Sequence, residues 1–185
     1  MKNLMIAVAV MAACSGCAGS VNGSVGGVNL SVADAIFAVL KDNQGKTTGA
    51  IIVLADKPKI CESLRANREP KSSTSMFMSI SRITDTDALA PDVGEYTVIQ
   101  GLPSGAGSFS YAGFSHGDSN CTNTLSSSAS SGKSGLVKVT NFKGDSSGSA
   151  NGTFDITFGA GDKITGNFNA TFCDITSLQS NPNCE

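Results

Sequence analysis

The feature that most constrains this chain lies near its C-terminus, where apolar and polar residues alternate through 152–158 and again through 164–172. A repeat of two puts successive side chains on opposite faces of an extended strand; a helix would need a repeat of about 3.6. Phe154, Ile156 and Phe158 therefore share one face, with Thr153, Asp155 and Thr157 on the other. Ile164, Phe168, Ala170 and Phe172 likewise oppose Thr165, Asn167, Asn169 and Thr171. Between the two stretches, 159–163 has turn composition, so the chain predicts a half-buried antiparallel hairpin. The simplest pairing sets Phe158 opposite Ile164 and Phe154 opposite Phe168.

Further strands are expected at 28–40, 50–55, 74–83, 94–100, 107–114, 122–130 and 134–142, separated by Gly, Asn, Asp and Ser turns. The run 50–55 is almost wholly apolar, which predicts cover on both faces. The apolar spacing of 32–40 suits a helix nearly as well as a bulged strand. One short helix is expected at 59–67, after Pro58, with Ile60 and Leu64 on the same face. With 21 glycines and little helical signal, the fold class is all-β: a single antiparallel sandwich or a small barrel, both compatible with the pattern. This β-rich domain is expected to occupy 28–185.

The first residues carry an address. Lys2 precedes an apolar run over 4–13, too short for a membrane-spanning helix, which takes roughly 20 residues. A basic start, a short apolar core and small residues at its end form a secretory signal. The stretch Ala12-Ala13-Cys14-Ser15-Gly16-Cys17-Ala18 resembles the lipobox of bacterial lipoproteins. That resemblance implies acylation of Cys17, or alternatively Cys14, after removal of the preceding peptide. Cys17 leaves the fuller signal, 1–16, and, with Cys14 removed in it, an even number of cysteines downstream. Residues 17–27, small and glycine-rich, then read as a lipid-anchored flexible tether. Ala18 after the acylated cysteine implies the outer membrane rather than retention at the inner one. The segments "NGSVGGVNLSVADAIF", "VLADKPKICESLRAN", "APDVGEYTV" and "GTFDITFGAGDKITGNFNATFCD" also look like elements of β-rich bacterial lipoproteins without an assigned activity. They are turn and hairpin patterns and imply no chemistry.

A formal net charge of −2 without a basic stripe argues against nucleic acid, which needs clustered cations to neutralise phosphates. Beyond the signal, no other apolar segment is long enough to span a bilayer as a helix. Cys61, Cys121, Cys173 and Cys184 lack the close pairing of a structural zinc site, and an exported address is oxidising. They are expected to form disulfides, with Cys173–Cys184 closing the C-terminal tail and Cys61–Cys121 as the second pair.

Several strings imitate chemistry. Gly144-Asp145-Ser146-Ser147-Gly148 matches the G-x-S-x-G of a hydrolase nucleophile elbow, and His116 stands beside Asp118. An elbow needs a strand–turn–helix and an oriented histidine, whereas this string sits between two expected strands. Asp85, Asp87, Asp92 and Glu95 supply oxygens of the kind calcium takes, Asp85 and Asp87 being the closest approach to a metal site, yet the EF-hand spacing is missing. Met76, Met78 and Ile80 alternate as core residues would. Phe109 and Tyr111 share a strand face that Phe114 does not. No cofactor is expected. The reading is a non-catalytic, envelope-anchored domain that binds or scaffolds, with an envelope protein or a saccharide as partner. The alternatives are a carrier of an apolar molecule in an internal pocket and, as an outsider, a serine hydrolase using Ser146.

Overall fold

A computed structural model describes residues 18–159, 161–175 and 182–185. Cys14 and Cys17, and with them the signal and the acylation site, lie outside the described residues. In chain order the elements are β1 (Gly19–Asn22), β2 (Asp34–Lys41), β3 (Thr47–Ala55), α1 (Ile60–Arg65), β4 (Arg68–Glu69), β5 (Thr74–Ile83), β6 (Ala88–Leu89) and β7 (Gly94–Val98). There follow β8 (Gly107–His116), α2 (Ser127–Ser130), β9 (Gly132–Phe142), β10 (Ser149–Phe158), β11 (Lys163–Phe172) and β12 (Asn183–Cys184).

The sheet runs β2-β3-β5-β8-β7-β9-β10-β11 and closes as β11 meets β2 again. The fold is thus all-β, and of the two architectures expected it is the barrel. Its strands form two antiparallel quartets, β2-β3-β5-β8 and β7-β9-β10-β11, joined edge to edge by parallel seams. One seam pairs Thr97 with Phe109 and Val98 with Ser110; the other pairs Thr171 with Ile36 and Phe172 with Phe37.

Alternation sends one residue in two into the bore. Phe37, Ile52, Leu54, Met76, Met78, Ile80, Ile156, Phe158 and Ile164 are all at 0% exposure, and an eight-stranded barrel has an interior just wide enough for side chains to fill. Phe114 and Phe158 meet edge to face there. Tyr96 of β7 is buried as well, with its hydroxyl tied to its own turn: it donates to the Asp92 carbonyl at 2.7 Å and accepts from the Asp92 amide at 2.8 Å.

The terminal hairpin forms, in a register shifted by two from the simplest pairing. Ile156 faces Ile164, Phe154 faces Gly166 and Phe168 faces Gly152. The Phe158 amide donates to the Asp162 carbonyl at 2.7 Å, so the turn is shorter than 159–163. A shift of two keeps every side chain on its face. It also lays each ring over a glycine: a Cβ on Gly166 would sit 2.5 Å from Phe154 Cζ, and one on Gly152 2.5 Å from Phe168 Cζ. The glycines make room for two phenylalanines inside a narrow bore.

Three further expectations are corrected. Residues 18–27 do not form a free tether. β1 pairs along β11, Gly19 with Phe168 through Asn22 with Thr165. The chain then turns back through Gly26 (φ 58°) and Gly27 (φ 80°), with reciprocal Val25–Val28 hydrogen bonds of 3.0 Å. Two positive φ values are what a type I′ turn requires. This turn delivers Val25 into the core at 0% exposure, with Leu30 at 4%. Glycine here serves a tight turn rather than flexibility. The strand expected at 122–130 is instead an irregular loop ending in α2, whose first turn is capped by Ser126 Oγ accepting from the Ala129 amide at 3.3 Å. Finally, 28–40 contributes a strand only from Asp34, and it is a strand rather than a helix.

Candidate functional site

The apolar run of β3 receives two different covers. Ala50, Ile52 and Leu54 point into the bore, while Ala55 is buried beneath α1 on the outside. Ile51 and Val53 also face outward and are only half covered. Next to them on β5, Phe77 lies over Gly113 of β8 and remains 42% exposed. Opposite this wall stands α1, whose Ile60 and Leu64 are four apart and face it together. Between wall and helix lies a groove of about 520 Å³, floored by Ile51, Val53 and Phe77 and walled by Ile60 and Leu64. That volume falls in the usual range for a small-molecule site, about 300–1,000 Å³.

The flap that makes the groove is stapled twice. Cys61 of α1 is bonded to Cys173, just past the end of β11, with Cα atoms 5.7 Å apart. Cys121, in the loop after β8, is bonded to Cys184 of β12, again with Cα atoms 5.7 Å apart. All four cysteines are therefore in disulfides, but the expected pairing is wrong. The reason is tertiary: α1 packs over Ile36 and Ala55 beside the end of β11, which brings Cys61 to Cys173. The C-terminus instead runs parallel to β4, Asn183 beside Arg68 and Cys184 beside Glu69, and there it meets the Cys121 loop. Hydrogen bonds add to the staples. The Ile60 amide donates to Asp34 Oδ2 at 2.9 Å, Arg65 Nε to the Asp174 carbonyl at 3.0 Å, and Arg68 Nη1 to Glu185 Oε2 at 2.9 Å.

Two cations stand where this groove adjoins a second hollow of about 290 Å³. Lys57 and Arg68 line both. Lys57 has no ion-pair partner among the described residues, and Arg68 Nε is buried with no hydrogen-bond partner. The Arg68 guanidinium is already paired with Glu185 and its Nε is out of reach of solvent, and Glu62 and Glu185 also line the second hollow, so Lys57 is the cation left to meet an acceptor here. The arrangement is an apolar trough with a cationic corner.

The residues that imitate chemistry are not assembled. Ser146 lies in the turn after β9, whereas His116 ends β8. β8 and β9 run in opposite directions on either side of β7, so the two residues occupy opposite rims. His116 Nδ1 shares a hydrogen bond of 2.9 Å with Thr74 Oγ1. The Asp118 carboxylate accepts from the amides of Asn120 and Thr122 at 2.7 and 3.0 Å. Asp145 accepts from the Ser147 hydroxyl at 3.0 Å. That hydrogen bond first, with the Ser147 amide and Lys143 adding to it, holds its carboxyl below the usual carboxylate range.

The acidic loop does not converge either. Asp87 pairs with Lys46 at 3.3 Å, Asp92 with Arg82 at 3.7 Å and Glu95 with Lys138 at 3.7 Å. Among the described residues, Asp85 included, no group of three His, Cys, Asp or Glu side chains is placed to hold a metal. Met76, Met78 and Ile80 are core residues, as expected. Phe109 and Tyr111 do face outward and Phe114 inward. The Tyr111 hydroxyl donates to the Gly101 carbonyl at 2.7 Å.

Sequence reasoning located the two halves of the groove, the 50–55 run and the Ile60/Leu64 face, without joining them. It missed Phe77 and Lys57. The chain matches no family model, no curated protein and no solved structure.

Proposed function

We propose that this protein is an exported, lipid-anchored β-barrel acting as a non-catalytic binding module, and that it holds an amphipathic molecule in the groove outside its wall. The ligand class is an elongated apolar chain ending in an anionic group. The observation that carries this reading is the pairing of an apolar floor, Ile51, Val53 and Phe77, with Lys57 at one corner, which has no ion-pair partner among the described residues. The apolar body of such a molecule would cover the floor, and its carboxylate or phosphate would accept from Lys57. The filled bore moves an apolar ligand from the inside of the barrel, where a carrier would first be sought, to its outer face.

The anchor and the compartment rest on the lipobox-like start and on the use of every later cysteine in a disulfide, which suits an oxidising location. The test is thermal unfolding of oxidised protein beginning at Ala18, with a long-chain fatty acid, a lysophospholipid and a neutral oligosaccharide added in turn. Any molecule that binds only the folded state raises the midpoint. A rise with the fatty acid that is lost in Phe77→Asp and weakened in Lys57→Gln supports the groove. A rise with the oligosaccharide alone, or with none of the three, sinks it.

A further inference from the structure

The lipid-anchored reading acquires a geometric consequence from β1, and the inference here rests on that reading. If Cys17 carries the acyl chains, the only residue between it and the barrel wall is Ala18. Ala18 is not slack: its carbonyl accepts from the Asn169 amide at 2.8 Å, and its side chain packs against the core. An extended residue spans at most about 3.6 Å, so the acylated residue sits within about two residue lengths of Gly19. Gly19 pairs with Phe168, in the body of β11 and not at a rim. A chain that leaves the barrel from the side of its wall, with no tether, cannot hold it upright on a stalk. We infer that the barrel lies side-on against the bilayer, with the wall formed by β1, β11 and β10 turned to the lipid headgroups.

The chemistry of that wall fits this partner. Around the exit point the outward residues of β11 are Asn167, Asn169 and Thr171, and those paired with them on β10 are Thr153, Asn151 and Ser149. None is charged, so a protein with more acidic than basic residues meets an anionic leaflet through its neutral side. The amides already form a ladder: Asn141 Nδ2 donates to Asn151 Oδ1 at 3.1 Å, Asn151 Nδ2 to Asn169 Oδ1 at 2.8 Å, and Asn167 Nδ2 to Ser20 Oγ at 2.9 Å. Such a wall offers donors and acceptors to headgroup phosphates and carbonyls without burying a charge. The nearest charged side chains in these rows, Lys163 and Asp155, pair with each other at 2.9 Å toward one end of the hairpin. Asp34, near Ala18, is committed to the Ile60 amide.

The chain contains no tryptophan, so one introduced tryptophan reports its surroundings alone. The experiment uses the full acylated protein in phosphatidylcholine–phosphatidylglycerol vesicles whose phosphatidylcholine is brominated on its acyl chains close to the headgroup. Reporters are Thr171→Trp and Thr153→Trp on the proposed contact wall, and Tyr111→Trp on β8, four strands round the barrel from β11. Each variant is first checked for folding by its thermal midpoint, and the second wall reporter stands in if the first fails. The expected result is loss of most of the emission at Thr171→Trp and Thr153→Trp, with Tyr111→Trp unaffected. Inserting a long Gly/Ser linker between Cys17 and Ala18 should restore the wall emission while the protein stays on the vesicles. Equal quenching at the wall and β8 positions, or none at either, overturns the side-on contact. Intact mass separates the two levels: acyl chains on Cys14 lengthen the tether and overturn the side-on inference alone, whereas acyl chains on neither cysteine overturn the anchoring reading itself.

Discussion

Two outer walls of one barrel solve the same interior problem and leave opposite surfaces. Both β3–β5 and β10–β11 send every second residue into a packed bore. Outside, β10 and β11 carry Asn, Thr and Ser in a hydrogen-bonded ladder that needs no cover. The outer row of β3, Ile51, Val53 and Ala55, is apolar, Phe77 adds to it from among the outward serines of β5, and the chain has added α1, β4 and β12 over it. It has also placed both disulfides there and none on the polar wall. The lesson is that the inner face of a barrel strand reports the fold, and the outer face reports what the fold is for. A polar outer row can meet water or headgroups as it stands. An apolar outer row that is only half covered leaves a groove.

The comparison can be broken most forcefully at the staple. Replacing both Cys61 and Cys173 by Ser removes a link across 112 residues of chain and should cost about 2–5 kcal/mol in denaturant unfolding. Ligand binding should vanish with it, because α1 loses its fixed place over β3. Folding of equal stability, with binding retained, would mean that the flap does not define the site.

Neighbouring residues of β5 sharpen the contrast between faces. Met78 is at 0% exposure in the bore, and Met78→Ala should lower stability by about 2–5 kcal/mol. Phe77, half exposed outside, should cost about 1 kcal/mol or less as Phe77→Ala while removing most of the binding. Denaturant midpoints and a fatty-acid titration on the same two variants decide whether stability and function separate along a single strand.

A third probe is pH. Burial raises the Tyr96 phenol above its ordinary value, against weaker lowering by its hydrogen bond to the Asp92 backbone. The folded state therefore keeps that proton longer than the unfolded chain. The associated stability is complete below about pH 10 and is lost as pH climbs through the folded-state value. Tyr96→Phe should cost about 1 kcal/mol at neutral pH, through its two lost bonds, and should show a shallower alkaline decline than the parent. An identical decline in both would remove Tyr96 from the account.

The smallest effect belongs to the polar wall. Asn151→Ala breaks the middle of the amide ladder and should cost about 1 kcal/mol, leaving groove binding unchanged. A larger loss would mean that the ladder holds the barrel closed and is more than surface.

How much of this was legible in the chain follows from the range over which each signal acts. The alternation of 152–158 and 164–172 is local, so the hairpin and its faces could be read directly. Its register could not, because that depends on how tightly 159–162 turns and on two rings finding glycines across the pair. The unbroken apolar run 50–55 announced cover on both faces of β3, which is complete in the bore but on the outside complete only at Ala55, with Ile51 and Val53 left half covered. What covers it depends on where α1 docks, a tertiary fact, and the disulfide pairing was misread for the same reason. Residues 18–27 were misread through composition. Glycine serves a loose linker and a type I′ turn alike, and only Val25 reaching the core distinguishes them. Phe77 looked like one more member of the 74–83 strand; its exposure follows from Gly113 leaving the ring a shelf outside the barrel.

The claim that function resides on the apolar outer wall is tested most directly by a backbone amide chemical-shift titration. Isotope-labelled, oxidised protein would be titrated with a long-chain fatty acid kept below its aggregation threshold. The account predicts saturable shifts at Ile51, Val53, Lys57, Leu64, Arg68 and Phe77, with Asn151, Asn167 and Asn169 unmoved. Shifts centred on the asparagine ladder, on the bore residues Met76 and Met78, or nowhere at all would contradict it.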